Sequence, residues 1–213
     1  MVEQQLRRRG IADERVLGAM GVVPREDFVP PQMRDRAYDD SALPIGCEQT
    51  ISQPWIVAAI CQALVLRGGE RLLEVGTGSG YSACVLSRLA AEVLSVERHE
   101  QLARAAEEAL ALLAVENVEI LVGDGSRGVP SRAPFDAIAV HATAPAAPES
   151  LLTQLAEGGR LVVPIATEPA DLLTVLRRCG DRFETEIVGP CRFVPLIGGE
   201  GFSSWTARGR SGP

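Results

Sequence analysis

Residues 72–81 read LLEVGTGSGY, and the parsing of that stretch decides the fold. Its apolar start has the composition of a buried strand, and it runs without a spacer into glycines and then into a helical pattern. Gly76, Gly78 and Gly80 permit a tight turn and let a ligand approach the backbone where a Cβ would obstruct it. A strand, a glycine-rich turn and a helix in that order open an α/β sheet that takes its ligand beyond the carboxyl ends of the strands.

Working outward, short runs rich in Val, Ile and Leu alternate with helical patterns from residue 68 onward. The pattern predicts strands over 71–75, 92–97, 118–122, 135–141, 160–165, 172–177 and 184–188, with a weaker one near Phe193. Helices are predicted over 79–90, 100–115 and 148–157, where apolar residues recur at spacings of three and four. Residues 135–141 (FDAIAVH) are almost continuously apolar, as befits a strand covered on both faces. Gly158 and Gly159 are expected to close the preceding helix. The fold class is therefore α/β: a Rossmann-like, doubly wound, mostly parallel seven-stranded sheet with helices on both faces and an N-terminal helical cap.

Residues 1–67 break that rhythm. Helices are predicted over 2–9, 13–20 and 54–66 around a Pro-rich stretch at 24–31, with Asp13 capping the second and Ser52 with Pro54 starting the third. Neither a repeat nor a low-complexity linker separates this region from the rest. It reads as a cap with a substrate loop (1–67), part of the same domain as the core (68–202), followed by a C-terminal tail (203–213).

Composition narrows the function. With 213 residues, 46% hydrophobic and 23% charged, the chain is an ordinary packed domain rather than a disordered one. A net charge of -7 argues against nucleic acid as partner. The run Arg7, Arg8, Arg9 lies near Glu3 and Glu14 and reads as a solvated helix face. Five scattered cysteines without a C-x-x-C pair, and only two histidines, support neither a metal site nor a disulfide framework. Cys61 and Cys84 fall on helix faces and read as small buried hydrophobes. Residues 1–10 are polar and charged rather than a leader, and the longest apolar stretch, 55–66, is too short to cross a bilayer. The expectation is a cytoplasmic protein with no membrane partner. Without a coiled-coil seam or an exposed apolar helix stripe, a monomer is expected.

Three acids carry the chemistry. Glu74 sits at the end of the first strand, Glu97 ends the second, and Asp124 follows the third between Gly123 and Gly125, all on the edge where such sheets bind ligands. Glu97 can accept two hydrogen bonds from ribose hydroxyls, or be a solvated acid paired with Arg98. Asp124 can receive an adenine amino group, or simply make a good turn. Gly78, Gly80 and Ala83 also satisfy G-x-G-x-x-A, which leaves an NAD(P)-binding oxidoreductase open. Glu74, however, suits a cationic ligand and would repel a pyrophosphate. The pattern Glu74-x-Gly76-x-Gly78-x-Gly80 resembles motif I of the class I S-adenosylmethionine-dependent methyltransferases.

A more specific likeness rests on LPIGCEQTISQP (43–54), LLEVGTGSGY (72–81), GDGSRG (123–128), PFDAIAV (134–140) and FVPL (193–196), with MVEQQLRRRGI (1–11) and VPREDFVP (23–30) before them. In order and spacing these resemble the protein-L-isoaspartate O-methyltransferase family over about residues 1–202, QTISQP being the most specific element. The resemblance implies S-adenosyl-L-methionine as cofactor, S-adenosyl-L-homocysteine as product, and isoaspartyl-containing peptides and proteins as substrates. It implies that Ser52 is the active-site residue and that Thr50, Ile51, Ser52 and Gln53 line the reaction site against the cofactor. Glu74, Gly76, Thr77, Gly78, Ser79, Gly80, Glu97, Arg98, Asp124 and Gly125 would hold the cofactor. Gln49, Thr50, His141, Ala142, Val194, Pro195 and Leu196 would face the substrate. The product would be an α-carboxyl methyl ester that loses methanol to a succinimide, which can reopen to aspartate.

The residues present agree with that chemistry. A carboxylate is ionised near pH 7 and a sulfonium methyl is already activated, so transfer needs positioning and desolvation more than a general base. From the residues alone Ser52 can equally cap a helix, and 194–196 can be a buried terminal strand. Two positions depart from the family: Glu48 stands where glycine is usual, and His141 where threonine is common. They leave open a paralogue methylating an aspartate of a modified natural-product peptide, a small-molecule methyltransferase, and a non-enzymatic protein-binding module.

Overall fold

Runs of β-branched and leucine residues after residue 70 have two apolar faces to cover, and the computed structural model, which describes residues 1–204, covers both. Helices α1 (Glu14–Val22) and α2 (Pro54–Leu64) flank a hairpin of β1 (Leu43–Gly46) and β2 (Gln49–Ile51). There follow β3 (Arg71–Val75), α3 (Tyr81–Ser87), β4 (Glu92–Glu97), α4 (Glu100–Leu112), β5 (Val118–Val122) and β6 (Phe135–Val140). The chain continues through α5 (Glu149–Thr153), β7 (Leu155–Ile165), β8 (Asp171–Cys179) and β9 (Arg182–Cys191).

The sheet runs β5-β4-β3-β6-β7-β8-β9, the expected doubly wound seven-stranded order. β3 to β7 are mutually parallel because long crossovers join them, whereas β8 and β9 pair antiparallel across short connections. Strand order reverses between β3 and β6, the switch point at which such sheets open a crevice. Alternation along the strands assigns the faces. Leu72, Ala137, Ala139 and Val162 join the core beneath α1, α2 and α3. Leu73, Val75, Ile138, Val140 and Val163 join the opposite core with Leu151 of α5. Each fully buried Val, Leu or Ile side chain among these contributes about 1.5–3 kcal/mol of transfer free energy.

The first three strands of the sheet have the bounds that their sequence pattern predicts, and Asp13 caps α1, accepting from the amides of Arg15 at 2.9 Å and Val16 at 3.5 Å. Cys61 and Cys84 are buried as expected. Arg7 pairs with Glu3 and Glu14 at 3.2 and 2.5 Å on an exposed face, and Arg9 reaches Asp40 at 2.6 Å. Other expectations need correction. The helix predicted over 148–157 stops at Thr153, because Leu155 already pairs in parallel with Phe135. Gly158 and Gly159 therefore lie inside β7, at an irregularity in its register, and end no helix. No strand forms at Phe193; instead 194–196 clip to Thr143, whose amide donates to Val194 O and whose carbonyl accepts from Leu196 N, both at 2.8 Å. The segment predicted as one helix over 2–9 is a π turn (Val2–Leu6) followed by a 3-10 turn (Arg7–Arg9). Most of the tail assigned to 203–213 lies outside the described residues.

The β1–β2 hairpin escapes sequence reading because its turn residues are Cys47 and Glu48 rather than Asn-Gly. Both adopt the left-handed conformation, with φ of 49° and 57°, as the twist of a two-residue hairpin demands. Glu48 is exposed and carries backbone strain that glycine would not. Glu48→Gly is expected to raise stability by about 0.5–1 kcal/mol in urea unfolding; a loss of stability would show that the Glu48 side chain makes a contact worth more than the strain.

Candidate active site

An open cleft lies at the switch point, where doubly wound sheets take their ligands. Its wall is built from the glycine turn after β3, the end of β2, the two residues after β6, and the segment 194–197. Hydrogen bonds fix the turn. The Gly76 amide donates to Val96 O at 2.8 Å, that of Gly78 to Glu97 Oε2 at 2.9 Å, and that of Gly80 to Thr77 O at 2.9 Å. Gly80 must be glycine on two counts: its φ is 87°, and a Cβ would stand 3.0 Å from Ala106 Cβ of α4. Gly80 itself does not line the cleft; Gly76, Thr77, Gly78 and Ser79 do.

Glu97 lines the cleft although only 4% exposed. Its Oε2 holds Gly78 and its Oε1 accepts from His99 N at 2.9 Å. A carboxylate has about four acceptor sites, so each oxygen keeps one for a ligand hydroxyl. Arg98 and Gly125 stand in the same wall, and a Cβ on Gly125 would meet Val75 Cγ1 at 2.5 Å.

Opposite this wall are Gln49, Thr50, Ile51 and Ser52. Ser52 does not cap α2. Gln53 occupies the cap position without a side-chain cap bond, and Pro54 starts the helix. The Gln53 side-chain Nε2 donates to Asp40 O at 3.0 Å, away from the cleft lining, whereas Ser52 lines the cleft and its hydroxyl has no hydrogen-bond partner among the described residues. Glu48 does not line the cleft at all.

Two acids sit differently from the sequence reading. Glu74 is wholly buried under the glycine turn rather than facing a ligand. Ser95 Oγ donates to its Oε2 at 2.5 Å and lies 2.5 Å from Thr77 Oγ1. His141 Nε2 stands 3.3 Å from Glu74 Oε1 and 2.8 Å from Ser82 Oγ. The cation-capable group beside Glu74 is thus one of the chain's own. His141 and Ala142 both line the cleft. Asp124 does not. Its Oδ1 accepts from the amide and hydroxyl of Ser126 at 3.0 and 2.6 Å, and its Oδ2 from Gly199 N at 2.7 Å. Burial works against the Asp124 carboxylate's charge, but these hydrogen bonds outweigh it and hold the carboxyl below its ordinary value. The same network, with Glu200 N donating to Ser126 Oγ at 3.0 Å, ties down the strap that carries Val194, Pro195 and Leu196 into the cleft.

Sequence reasoning missed Val57, Val75, Val96, Ile197, Tyr81 and Ser82 as lining residues. The four aliphatic ones read as core, which they also are or border, and nothing in a linear pattern says which core residues end at a crevice. No helix of the described residues is long and apolar enough to cross a membrane, and no cluster of metal-ligating side chains occurs among them.

Comparison with known proteins agrees with this architecture. The model of the family described as protein-L-isoaspartate(D-aspartate) O-methyltransferase matches residues 1–201. The protein-L-isoaspartate O-methyltransferase 1 of Rhodopseudomonas palustris (strain HaA2) is 54% identical over 206 residues, 96% of this chain and 84% of that protein. A solved protein-L-isoaspartate O-methyltransferase superposes with a TM-score of 0.82 at 31% identity, covering 94% of this chain and 67% of the other. A Plasmodium falciparum protein described as the same kind of methyltransferase, solved with S-adenosyl-L-homocysteine, superposes with a TM-score of 0.79 at 28% identity, covering 92% and 96%.

His141 Nε2 hydrogen-bonds Ser82 Oγ at 2.8 Å, and the ring covers the buried Glu74 Oε1, which has no hydrogen bond among the described residues. His141→Ala removes that bond and the packing of the ring, and is expected to destabilise the chain by about 1–3 kcal/mol in thermal or urea unfolding. Unchanged stability would mean that solvent reaches Glu74 once the ring is gone.

Proposed function

Because the chain belongs to the protein-L-isoaspartate(D-aspartate) O-methyltransferase family, we propose that this cleft is where it transfers a methyl group from S-adenosylmethionine to the free carboxylate of L-isoaspartyl residues in peptides and proteins. The observation that carries the site assignment is Ser52, its hydroxyl unpartnered among the described residues, lining one cleft with the glycine turn and Glu97. The donor set fits the cofactor. The cradle of 76–79 admits a backbone-hugging ligand, and Glu97 keeps acceptor sites for two ribose hydroxyls, with Arg98 and Gly125 beside it. When bound, S-adenosylmethionine supplies a sulfonium-activated methyl group, and S-adenosylhomocysteine remains.

The chain's own residues then have little proton chemistry to do. The substrate carboxylate arrives ionised, so no base is needed. Ser52 donates a hydrogen bond that fixes the carboxylate, while Ile51, Val57, Ala142 and Leu196 keep water from it. Gln49, Thr50, His141, Val194 and Pro195 flank the peptide. Glu74 acts indirectly, holding the turn through Ser95 and Thr77, and Asp124 holds the strap; Gln53 and Gly80 shape the loops on either side. The ester product loses methanol to a succinimide that can reopen to aspartate, which makes the reaction the first step of repair. The family match does not favour an oxidoreductase or a small-molecule methyltransferase, and Glu48, outside the cleft lining, gives no ground for a different peptide substrate. Residues 1–67 serve as a cap of the same domain as 68–202. The protein works as a cytoplasmic monomer, and its net charge of -7 suits peptide rather than nucleic-acid substrates.

Methyl-labelled S-adenosylmethionine with paired isoaspartyl and aspartyl peptides tests this. Base-labile label is expected on the isoaspartyl peptide alone, and Ser52→Ala should lower kcat/KM about 10–100-fold, the loss of one hydrogen bond to a charged group. Equal labelling of both peptides would overturn the substrate assignment, and full activity of Ser52→Ala would overturn the role of the hydroxyl.

A further inference from the structure

Arg25 is fully buried, an unusual place for a guanidinium, and among the described residues it makes no ion pair. Its Nε donates to Ala37 O at 2.7 Å and its Nη2 to Ser52 O at 2.7 Å. Its Cζ lies over the ring of Tyr81, 4.7 Å from the centroid, at the first residue of α3 after the glycine turn. Nη1 has no hydrogen-bond partner among the described residues. A buried charge without a counterion is costly, and a methionine of similar length would fill the space at less cost if packing were all that mattered. What a methionine lacks is the planar fork that bonds two carbonyls at once while stacking on a ring.

Those contacts converge on Ser52. The residue sits between the end of β2 and the unbonded cap of α2, its hydroxyl is unpartnered among the described residues, and one arm of the Arg25 fork, Nη2, donates to its carbonyl while the other, Nε, is anchored on Ala37 O. The same guanidinium rests on Tyr81, which lines the cleft and packs edge-on against Phe28 at 5.6 Å between centroids. We propose that Arg25 is a positioning residue for methyl transfer: it fixes the Ser52 peptide relative to the glycine turn so that the hydroxyl meets the substrate carboxylate. This rests on the role given to Ser52 above. Arg25 acts on the substrate side of the cleft and leaves cofactor affinity to the turn and Glu97.

The test is a double-mutant cycle on the full chain, reading kcat/KM for an isoaspartyl peptide and the affinity for S-adenosylhomocysteine. Arg25→Met is expected to lower kcat/KM about 10–100-fold, and by no more than Ser52→Ala does, while S-adenosylhomocysteine affinity changes less than about threefold. In a Ser52→Ala background the same substitution should cost less than about threefold, because its effect passes through Ser52. If Arg25→Met fails to fold, Arg25→Lys, which keeps the charge without the fork, should fold and show about a tenfold loss that likewise vanishes beside Ser52→Ala. Equal losses in both backgrounds, a parallel loss of cofactor affinity, or no loss would overturn the proposal. Near-normal activity of Ser52→Ala alone would instead sink the reading of Ser52, whatever Arg25 does.

Discussion

A carboxylate with no exposure to water sits directly beneath the glycine turn, and groups from the neighbouring strands gather around it. Burying Glu74 would cost several kcal/mol if it were left alone. It is answered by Ser95 from β4 and faced by His141 from the end of β6, and Ser95 passes the contact on to Thr77 in the turn itself. Three neighbouring strands are thereby locked in register at their carboxyl ends. The crevice that doubly wound sheets open at a reversal of strand order becomes a rigid floor rather than a loose gap.

On that floor the cleft has two walls of different origin. One is regular: the turn and Glu97 are fixed by the parallel ladder, and their geometry follows from strand register. The other is irregular, made of the end of a short hairpin and of a strap clipped to Thr143, Asp124 and Ser126. The proposed division of labour follows this one, with the cofactor assigned to the regular side and the peptide to the irregular side.

The regular wall was legible in the sequence and the irregular one largely was not. Residues 71–75, 92–97 and 118–122 read correctly because β-branched runs bounded by turn residues have few alternatives. Gly158 and Gly159 misled because paired glycines after an apolar helix pattern look like a helix end, whereas tertiary pairing of Leu155 with Phe135 claimed the segment for the sheet. The β1–β2 hairpin carries no turn signal, since Cys47 and Glu48 take up left-handed backbone that their side chains do not favour. Glu74 and His141 are 67 positions apart and Arg25 and Ser52 are 27 apart, pairings that only the fold can make. Glu74 belongs to a local motif that a sequence shows, whereas His141 stands outside any motif and only the fold sets it beside that acid.

On the proposed function, cofactor and isoaspartyl peptide meet in this one cleft, with the carboxylate held by Ser52. A crystal structure with S-adenosylhomocysteine and an isoaspartyl peptide bound tests it most directly. The account predicts ribose hydroxyls on Glu97 and a peptide carboxylate oxygen within hydrogen-bonding distance of Ser52 Oγ; a carboxylate bound elsewhere, with Ser52 still unpartnered, would contradict it.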